Sequence, residues 1–203
     1  MGRRFLHERR RDPFYRAAQE EGLRSRAAFK LMHLARKFPI FRPGDRVLDL
    51  GAAPGGWSLV AREFVGPNGS VTAVDPRRIP PIDGVEVLHA RVGDPNLQER
   101  LGPGPYEVVL SDMSPAISGA YATDHARSVE LVRGAFTLAR SVLAPGGAFV
   151  AKVFAGDLLG ELEEEIRPHF ESLRRSKPPA SRGPSSELYV LGLGFRPETG
   201  SSA

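Results

Sequence analysis

Short runs rich in β-branched and aliphatic residues alternate with longer helical patterns along most of this chain. Parallel strands need long crossover connections, which helices usually supply, so this alternation predicts βαβ units and a parallel sheet. The fold class that we expect is a doubly wound α/β domain, with a mostly parallel central sheet flanked by helices. At 203 residues the chain is long enough for one such domain and too short for two ordinary ones.

Turn-forming residues mark the ends of the predicted helices and strands. Strands are predicted at 46–50, 70–74, 85–89, 107–111, 148–153 and 188–193. Helices are predicted at 26–38, 58–64, 125–143 and 158–166. The segment Pro145-Gly146-Gly147 is expected to end the longest helix, because proline and glycine are poor helix formers.

The composition excludes several kinds of site. Without cysteine, the chain has no disulfide, no thiolate metal site and no catalytic thiol. Its five histidines lack the spacing of a metal site, so we expect no metal. No stretch approaches the roughly 20 apolar residues of a membrane span, and the start lacks the apolar run of a secretory signal. We therefore expect a soluble, cytoplasmic protein that has no membrane partner, and we expect it to be a monomer.

Positive charge is concentrated near the start of the chain, where a basic segment at 1–14 precedes the predicted domain at 15–195 and a flexible tail at 196–203. The net charge is +4, and the first 46 residues hold much of the excess, in Arg3, Arg9, Arg10, Arg11, Arg24, Arg26 and Lys37. Such a segment suits a polyanion such as RNA, although a solvated basic face has the same composition. Phe5, Phe14 and Tyr15 lie among these cations and either stack on bases or, more commonly, pack against the sheet.

A glycine-rich turn follows the first predicted strand, in the stretch Asp49-Leu50-Gly51-Ala52-Ala53-Pro54-Gly55-Gly56-Trp57. The turn from the first strand to its helix is where a doubly wound sheet binds its ligand, and small residues let that ligand approach the backbone. A dinucleotide site would have G-x-G-x-x-G at this point, whereas this chain has G-x-x-P-G-G. The spacing therefore disfavours an NAD-dependent oxidoreductase, the rival enzyme class on this type of fold.

Two aspartates follow the next predicted strands. Asp75 comes directly after the second strand, where a carboxylate can accept hydrogen bonds from both hydroxyls of an adenosine ribose. Asp94 follows the third strand and can accept a hydrogen bond from an adenine amino group. Each aspartate has an alternative interpretation: Asp75 as a strand-end turn residue, and Asp94 as part of the turn that an Asp-Pro pair favours.

Asp112 and Lys152 end the fourth and fifth predicted strands. The carboxyl ends of parallel strands meet at one edge of the sheet, so we expect these two side chains to lie together beside the ligand. Only four of the 28 basic residues are lysines, and lysine, unlike arginine, can give up its proton. Lys152 is therefore a candidate general base. The alternative is a salt bridge with Asp112 that only holds the end of the sheet.

These residues resemble the FtsJ-like RNA ribose 2′-O-methyltransferases, and the resemblance extends from about Asp12 to Gly194. It rests on the Ser-Arg-Ala stretch before Lys30, the glycine-rich turn, Ser-Asp-Met around Asp112, Lys-Val-Phe at Lys152 and Ser-x-Glu-x-Tyr around Glu187. It implies a single Rossmann-like domain that uses S-adenosylmethionine to methylate a ribose of RNA. The implied substrate is a uridine of large-subunit (23S) rRNA, as in the heat-shock type of the family.

The resemblance also implies which residues form the site. The family's catalytic tetrad falls on Lys30, Asp112, Lys152 and Glu187. Its cofactor contacts fall on Gly55, Trp57, Asp75, Asp94 and Asp112, and the glycine-rich turn adds Gly51, Ala53, Pro54 and Gly56. We predict that Lys152 is the general base, that Asp112 and Glu187 orient it, and that Lys30 stabilises the developing alkoxide.

The chain departs from the family pattern at Ala116, Ala155 and Ser186, where asparagine, glutamine and arginine are usual. These positions lie outside the tetrad, so they bear on the substrate nucleotide more than on the reaction. Two alternatives stay open at this point. One is a tRNA or mRNA-cap ribose methyltransferase, and the other is a non-catalytic RNA-binding factor of ribosome assembly on the same fold.

Overall fold

A computed structural model describes residues 27–102, 104–179 and 186–197. Within these ranges the chain forms a seven-stranded sheet with the strand order β3-β2-β1-β4-β5-β7-β6. The first five strands pair in parallel, and β7 pairs antiparallel with both β5 and β6. The predicted fold class, a mostly parallel sheet flanked by helices, is confirmed. The basic segment at 1–14 and residues 198–203 of the predicted tail lie outside the described residues.

The described helices and strands follow one another along the chain in the order that the sequence predicts for a βαβ fold. The strands are β1 Arg46–Leu50, β2 Ser70–Asp75, β3 Val85–His89, β4 Tyr106–Ser111, β5 Leu143–Phe154, β6 Phe170–Ser176 and β7 Glu187–Phe195. The α-helices are α1 Ala27–Lys37, α2 Gly56–Val65, α3 Leu97–Arg100, α4 Tyr121–Val142 and α5 Leu159–Ile166, and a 3₁₀ turn follows at Arg167–His169.

The structure differs from the sequence-based prediction in four elements. Strand β6 and the short helix α3 were not predicted, and β5 begins at Leu143 rather than at residue 148. Helix α4 begins at Tyr121, four residues before the predicted start at 125. Its first turn is supported by Asp124, whose carboxylate accepts hydrogen bonds from the backbone N–H groups of Ser118 and Gly119. Asp124 therefore ties the loop at Ser118 and Gly119 to the first turn of α4.

Apolar side chains cover both faces of the sheet and divide the core into two main layers. On one face Leu31 and Leu34 of α1 pack with Val60 of α2 against the strands. On the other face the apolar sides of α4 and α5, including Phe136 and Leu162, cover the sheet. Because both faces are covered, the site for a ligand is at the carboxyl edge of the strands, which the helices leave open.

The described ranges lack the features of a membrane span and of a metal site. No helix there is both long enough and apolar enough to cross a membrane. Nor do those ranges contain a group of three or more His, Asp or Glu side chains arranged to hold a metal ion.

Candidate active site

A cleft of about 530 Å³ opens at the carboxyl edge of β1, β2 and β4. Its volume falls in the range of small-molecule sites. Four of the predicted cofactor residues line it: Gly51, Ala53, Asp75 and Asp112. The sequence reasoning did not identify the other lining residues, which include Arg77, Met113 and Leu131. Arg77 and Met113 lie in the loops that follow β2 and β4, and Leu131 lies on α4.

The glycine-rich turn shapes the floor of this cleft. Gly51 has a φ of +75°, and a Cβ at this position would lie 2.5 Å from Cγ of Met113. Gly55, just before α2, has a φ of 103° and lies in the left-handed region. A side chain at either position would strain the backbone. A side chain at Gly51 would also collide with Met113, just after β4. The turn therefore needs these glycines to keep the backbone open to a ligand.

Asp75 is buried at the end of β2 and accepts several hydrogen bonds. Its carboxylate accepts them from the backbone N–H of Ala53 at 3.0 Å and of Arg77 at 2.7 Å, and from the Arg77 guanidinium at 3.1 Å. Burial raises the pKa of this carboxyl, but the hydrogen bonds from Arg77 and Ala53 outweigh burial and lower the pKa below its usual value. Asp75 is thus an ionised acceptor at the cleft. The Arg77 side chain that shares this carboxylate is mostly exposed.

The remaining predicted cofactor residues lie outside the cleft lining. The carboxylate of Asp94 accepts a hydrogen bond from the backbone N–H of Arg91 at 2.7 Å, which is the turn geometry of the alternative interpretation. Trp57 is buried, and its indole N–H donates to the carbonyl of Ala27 at 2.8 Å. Pro54 and Gly55 lie in the turn between β1 and α2, and Gly56 is the first residue of α2. Trp57 thereby fixes the start of α1 against α2.

Lys152 and Asp112 meet as predicted. Lys152 Nζ lies 3.2 Å from Oδ1 of Asp112 and donates a hydrogen bond to the backbone carbonyl of the same residue at 2.8 Å. The lysine side chain is buried, whereas that of Asp112 is partly exposed and borders the cleft. Two contacts to one residue hold the amine in a defined place beside the cleft.

Lys30 and Glu187 form the second pair. Lys30 Nζ lies 2.5 Å from Oε2 of Glu187. Lys30 is buried within α1, because Ala28, Leu31 and Leu34 pack that helix onto the sheet. Glu187 begins β7 and stands opposite Phe154 of β5, two residues beyond Lys152. A helix and an antiparallel strand thus bring the second pair to the same edge of the sheet.

Tyr189 joins the two pairs, and the sequence reasoning did not single it out. It stands opposite Lys152 in the β5–β7 register, and its hydroxyl donates to Oδ1 of Asp112 at 3.1 Å. Lys30 Nζ lies 5.9 Å from the centre of its ring, and Trp57 packs against the ring at 5.5 Å. The signal was its position two residues after Glu187, on the same face of the strand. One buried tyrosine thus contacts one member of each pair, Asp112 and Lys30.

Asp49 is a further buried acid near the site. It lies in β1 beneath α2, and the hydroxyl of Ser58 donates to its Oδ2 at 2.6 Å. Its Oδ1 has no hydrogen-bond partner among the described residues. Burial raises the pKa of this carboxyl to about 7, a rise that Ser58 opposes and the charges of Asp112 and Asp75 increase.

Comparison with known proteins gives consistent matches. The family model described as FtsJ-like methyltransferase matches residues 23–195. Ribosomal RNA large subunit methyltransferase E of Methanothrix thermoacetophila is 45% identical over 185 residues, which cover 90% of this chain and 72% of that protein. The protein of the same name from Methanothermobacter thermautotrophicus is 43% identical over 202 residues, which cover 97% of this chain and 95% of that protein. A crystal structure assigned as a ribosomal RNA methyltransferase of Plasmodium falciparum superimposes with a TM-score of 0.75 at 25% identity, covering 85% of this chain and 98% of that one.

Proposed function

Because the chain belongs to the FtsJ-like methyltransferase family, we propose that it methylates a ribose 2′-hydroxyl of RNA, on a uridine of large-subunit ribosomal RNA. The family that the sequence predicted is confirmed, and S-adenosylmethionine is the methyl donor. The proposed substrate is supported by the matched relatives, which are named as methyltransferases of large-subunit ribosomal RNA. One observation carries the proposed chemistry: two lysine–carboxylate pairs meet around Tyr189 beside the cleft.

The cleft suits the methyl donor in size and in chemistry. The glycine turn brings backbone close to the cleft, and the ionised Asp75 supplies an acceptor for ribose hydroxyls. When bound, the cofactor supplies an activated methyl group on a positively charged sulfur. Asp112 lines the cleft and also contacts Lys152, so it connects the cofactor site with the tetrad.

Positioning by the chain has to supply much of the rate, because a ribose hydroxyl is a poor nucleophile. Holding the reacting atoms in line can contribute about 7–11 kcal/mol, and general-base help adds about 10²- to 10⁴-fold. In this proposal the amine of Lys152 accepts the proton of the 2′-hydroxyl, and Asp112 keeps that amine in place. Lys30 stabilises the developing negative charge on the oxygen, and Glu187 orients Lys30.

The partner of Glu187 differs from the sequence-based prediction. The sequence predicts that Glu187 orients Lys152, whereas in the structure its carboxylate lies against Lys30. The two lysines therefore each have their own carboxylate, and Tyr189 links the two pairs. In this proposal Lys152 therefore acts on the proton of the hydroxyl, and Lys30 acts on the charge of its oxygen.

Replacing Asp75 with alanine is expected to weaken cofactor binding. Loss of a charged acceptor for the ribose hydroxyls corresponds to about 1.5–3 kcal/mol, roughly 10- to 150-fold in affinity. Arg77→Ala serves as the matched control. It removes the guanidinium that donates to the Asp75 carboxylate but keeps the carboxylate itself. Calorimetric titration with S-adenosylhomocysteine measures both variants. Equal affinity of Asp75→Ala and the unaltered protein would remove Asp75 from the cofactor site.

The substrate is tested by incubating the protein with methyl-labelled cofactor and three RNA preparations: ribosomal large subunits, naked rRNA and tRNA. We expect label in large-subunit rRNA, at one uridine. Label in tRNA alone would replace the proposed substrate with the tRNA alternative. Tight RNA binding with no transfer to any of the three would favour the non-catalytic assembly factor.

A further inference from the structure

Tyr121 has an unusual environment for a tyrosine. Its side chain is 60% exposed, whereas Tyr106 and Tyr189 are 1% and 0% exposed. A tyrosine normally buries its ring and leaves its hydroxyl in water. In Tyr121 the hydroxyl donates a hydrogen bond to the backbone carbonyl of Ala155, although the residue as a whole is mostly exposed.

The residues beneath Tyr121 hold its ring in a fixed position. The ring lies nearly parallel to that of His125, at 15° and 6.5 Å between centres. Both ring nitrogens of His125 are engaged: Nδ1 contacts the carbonyl of Phe154 at 2.9 Å, and Nε2 accepts from the backbone N–H of Leu158 at 3.0 Å. Because its hydroxyl and its neighbouring ring are both anchored, Tyr121 would lose little conformational freedom on binding a partner.

Tyr121 also lies close to the proposed reaction site. Its hydrogen-bond acceptor, Ala155, is three residues beyond Lys152, which is at most about 10 Å of extended chain. Ile117, which is 65% exposed, lies on the loop that leads into α4. The exposed Arg127 donates to the carbonyl of Ala116 on the same loop and adds a cation there. The loop before α4 and the first two turns of that helix thus carry exposed aromatic, apolar and cationic groups.

We propose that Tyr121 is a stacking platform for an unpaired RNA base next to the methylated nucleotide. The proposal rests on the proposed function, because it takes the 2′-hydroxyl of RNA as the group held at Lys152. Unpaired bases stack on exposed aromatic rings, and this contact tolerates any base because every base has a flat face. A rigid, solvent-facing ring beside the site has the chemistry for that contact.

The test compares Tyr121→Ala with Tyr121→Phe in methylation of large-subunit rRNA and in binding of a short single-stranded RNA that carries 2-aminopurine. Tyr121→Ala is expected to raise KM for RNA by about 5- to 150-fold, the range for one lost base stack. The KM for the cofactor stays unchanged. Tyr121→Phe keeps the ring and loses less than alanine does. Quenching of 2-aminopurine fluorescence, seen with the unaltered protein, is lost in Tyr121→Ala.

Two further readouts separate stacking from other roles. Stacking is not ionic, so the dependence of RNA binding on salt concentration stays the same in Tyr121→Ala. Val87→Ala, which trims another exposed apolar side chain on the edge strand β3, leaves KM for RNA unchanged. If the unaltered protein methylates RNA and Tyr121→Ala does so with the same KM, the stacking role is overturned while the proposed function stands. If the unaltered protein neither binds nor methylates RNA, both are overturned.

Discussion

Replacing Lys152 with alanine is expected to reduce methyl transfer by about 10²- to 10⁴-fold, the contribution of a positioned general base. The amine is held at 3.2 Å from Oδ1 of Asp112 and 2.8 Å from the carbonyl of the same residue, whereas Lys30, the other amine of the tetrad, is held by Glu187. Lys152 is not among the residues that line the cleft, so cofactor affinity is expected to stay close to that of the unaltered protein. Single-turnover methylation and calorimetry measure the two quantities.

Lys152→Arg is the matched variant, because arginine keeps the positive charge and cannot give up its proton at physiological pH. It is expected to be nearly as inactive as Lys152→Ala. Substantial activity in Lys152→Arg would show that the residue acts through its charge. Near-normal turnover in Lys152→Ala would leave positioning alone as the source of catalysis.

Replacing Asp49 with asparagine is expected to remove much of the pH dependence of stability. The native state binds the Asp49 proton more tightly than the unfolded chain does, because burial raises its pKa from 3.8 to about 7. The free energy of unfolding therefore falls as the pH rises between these two values and levels off above the higher one. The full effect is on the order of 4 kcal/mol. Urea unfolding without cofactor, at about pH 5 and about pH 8, measures the part of this effect that lies above pH 5, on the order of 2–3 kcal/mol.

Asp83→Asn is the control for this prediction, because Asp83 is an exposed loop aspartate. This control should keep the loss of stability between the two pH values, whereas Asp49→Asn should reduce it. An undiminished loss in Asp49→Asn would show that the Asp49 carboxyl does not titrate in this range. The orphaned Oδ1 would then need a partner other than a proton.

The sequence predicted the parallel part of the fold well, because β1, β2 and β4 are short, mostly apolar runs that are followed by Gly51, Pro76 and Asp112. Strand β6 was missed for a physical reason. It is an edge strand with charged residues at Glu171, Arg174 and Arg175, and its burial does not alternate. Its pairing with β7 places it in the sheet, which a local pattern cannot reveal.

The site was predictable to a different extent for each residue. Asp112 and Lys152 follow from the rule that parallel strand ends meet at one edge, and the structure brings them together. Lys30 and Glu187 lie on a helix and an antiparallel strand, so only the family resemblance indicated them. The contact of Glu187 with Lys30, and the central place of Tyr189, depend on tertiary packing and could not be read from spacing.

The central claim is that the site methylates a ribose oxygen, and the position of the methyl group in the product tests it most directly. RNA methylated with labelled cofactor is digested and the modified nucleotide is analysed by mass spectrometry, with alkaline cleavage in parallel. A 2′-O-methyl group removes the hydroxyl that attacks the neighbouring phosphate, so we predict label on the ribose and resistance to alkali at that one bond. Label on the base, with the neighbouring bond still cleaved by alkali, would contradict the account.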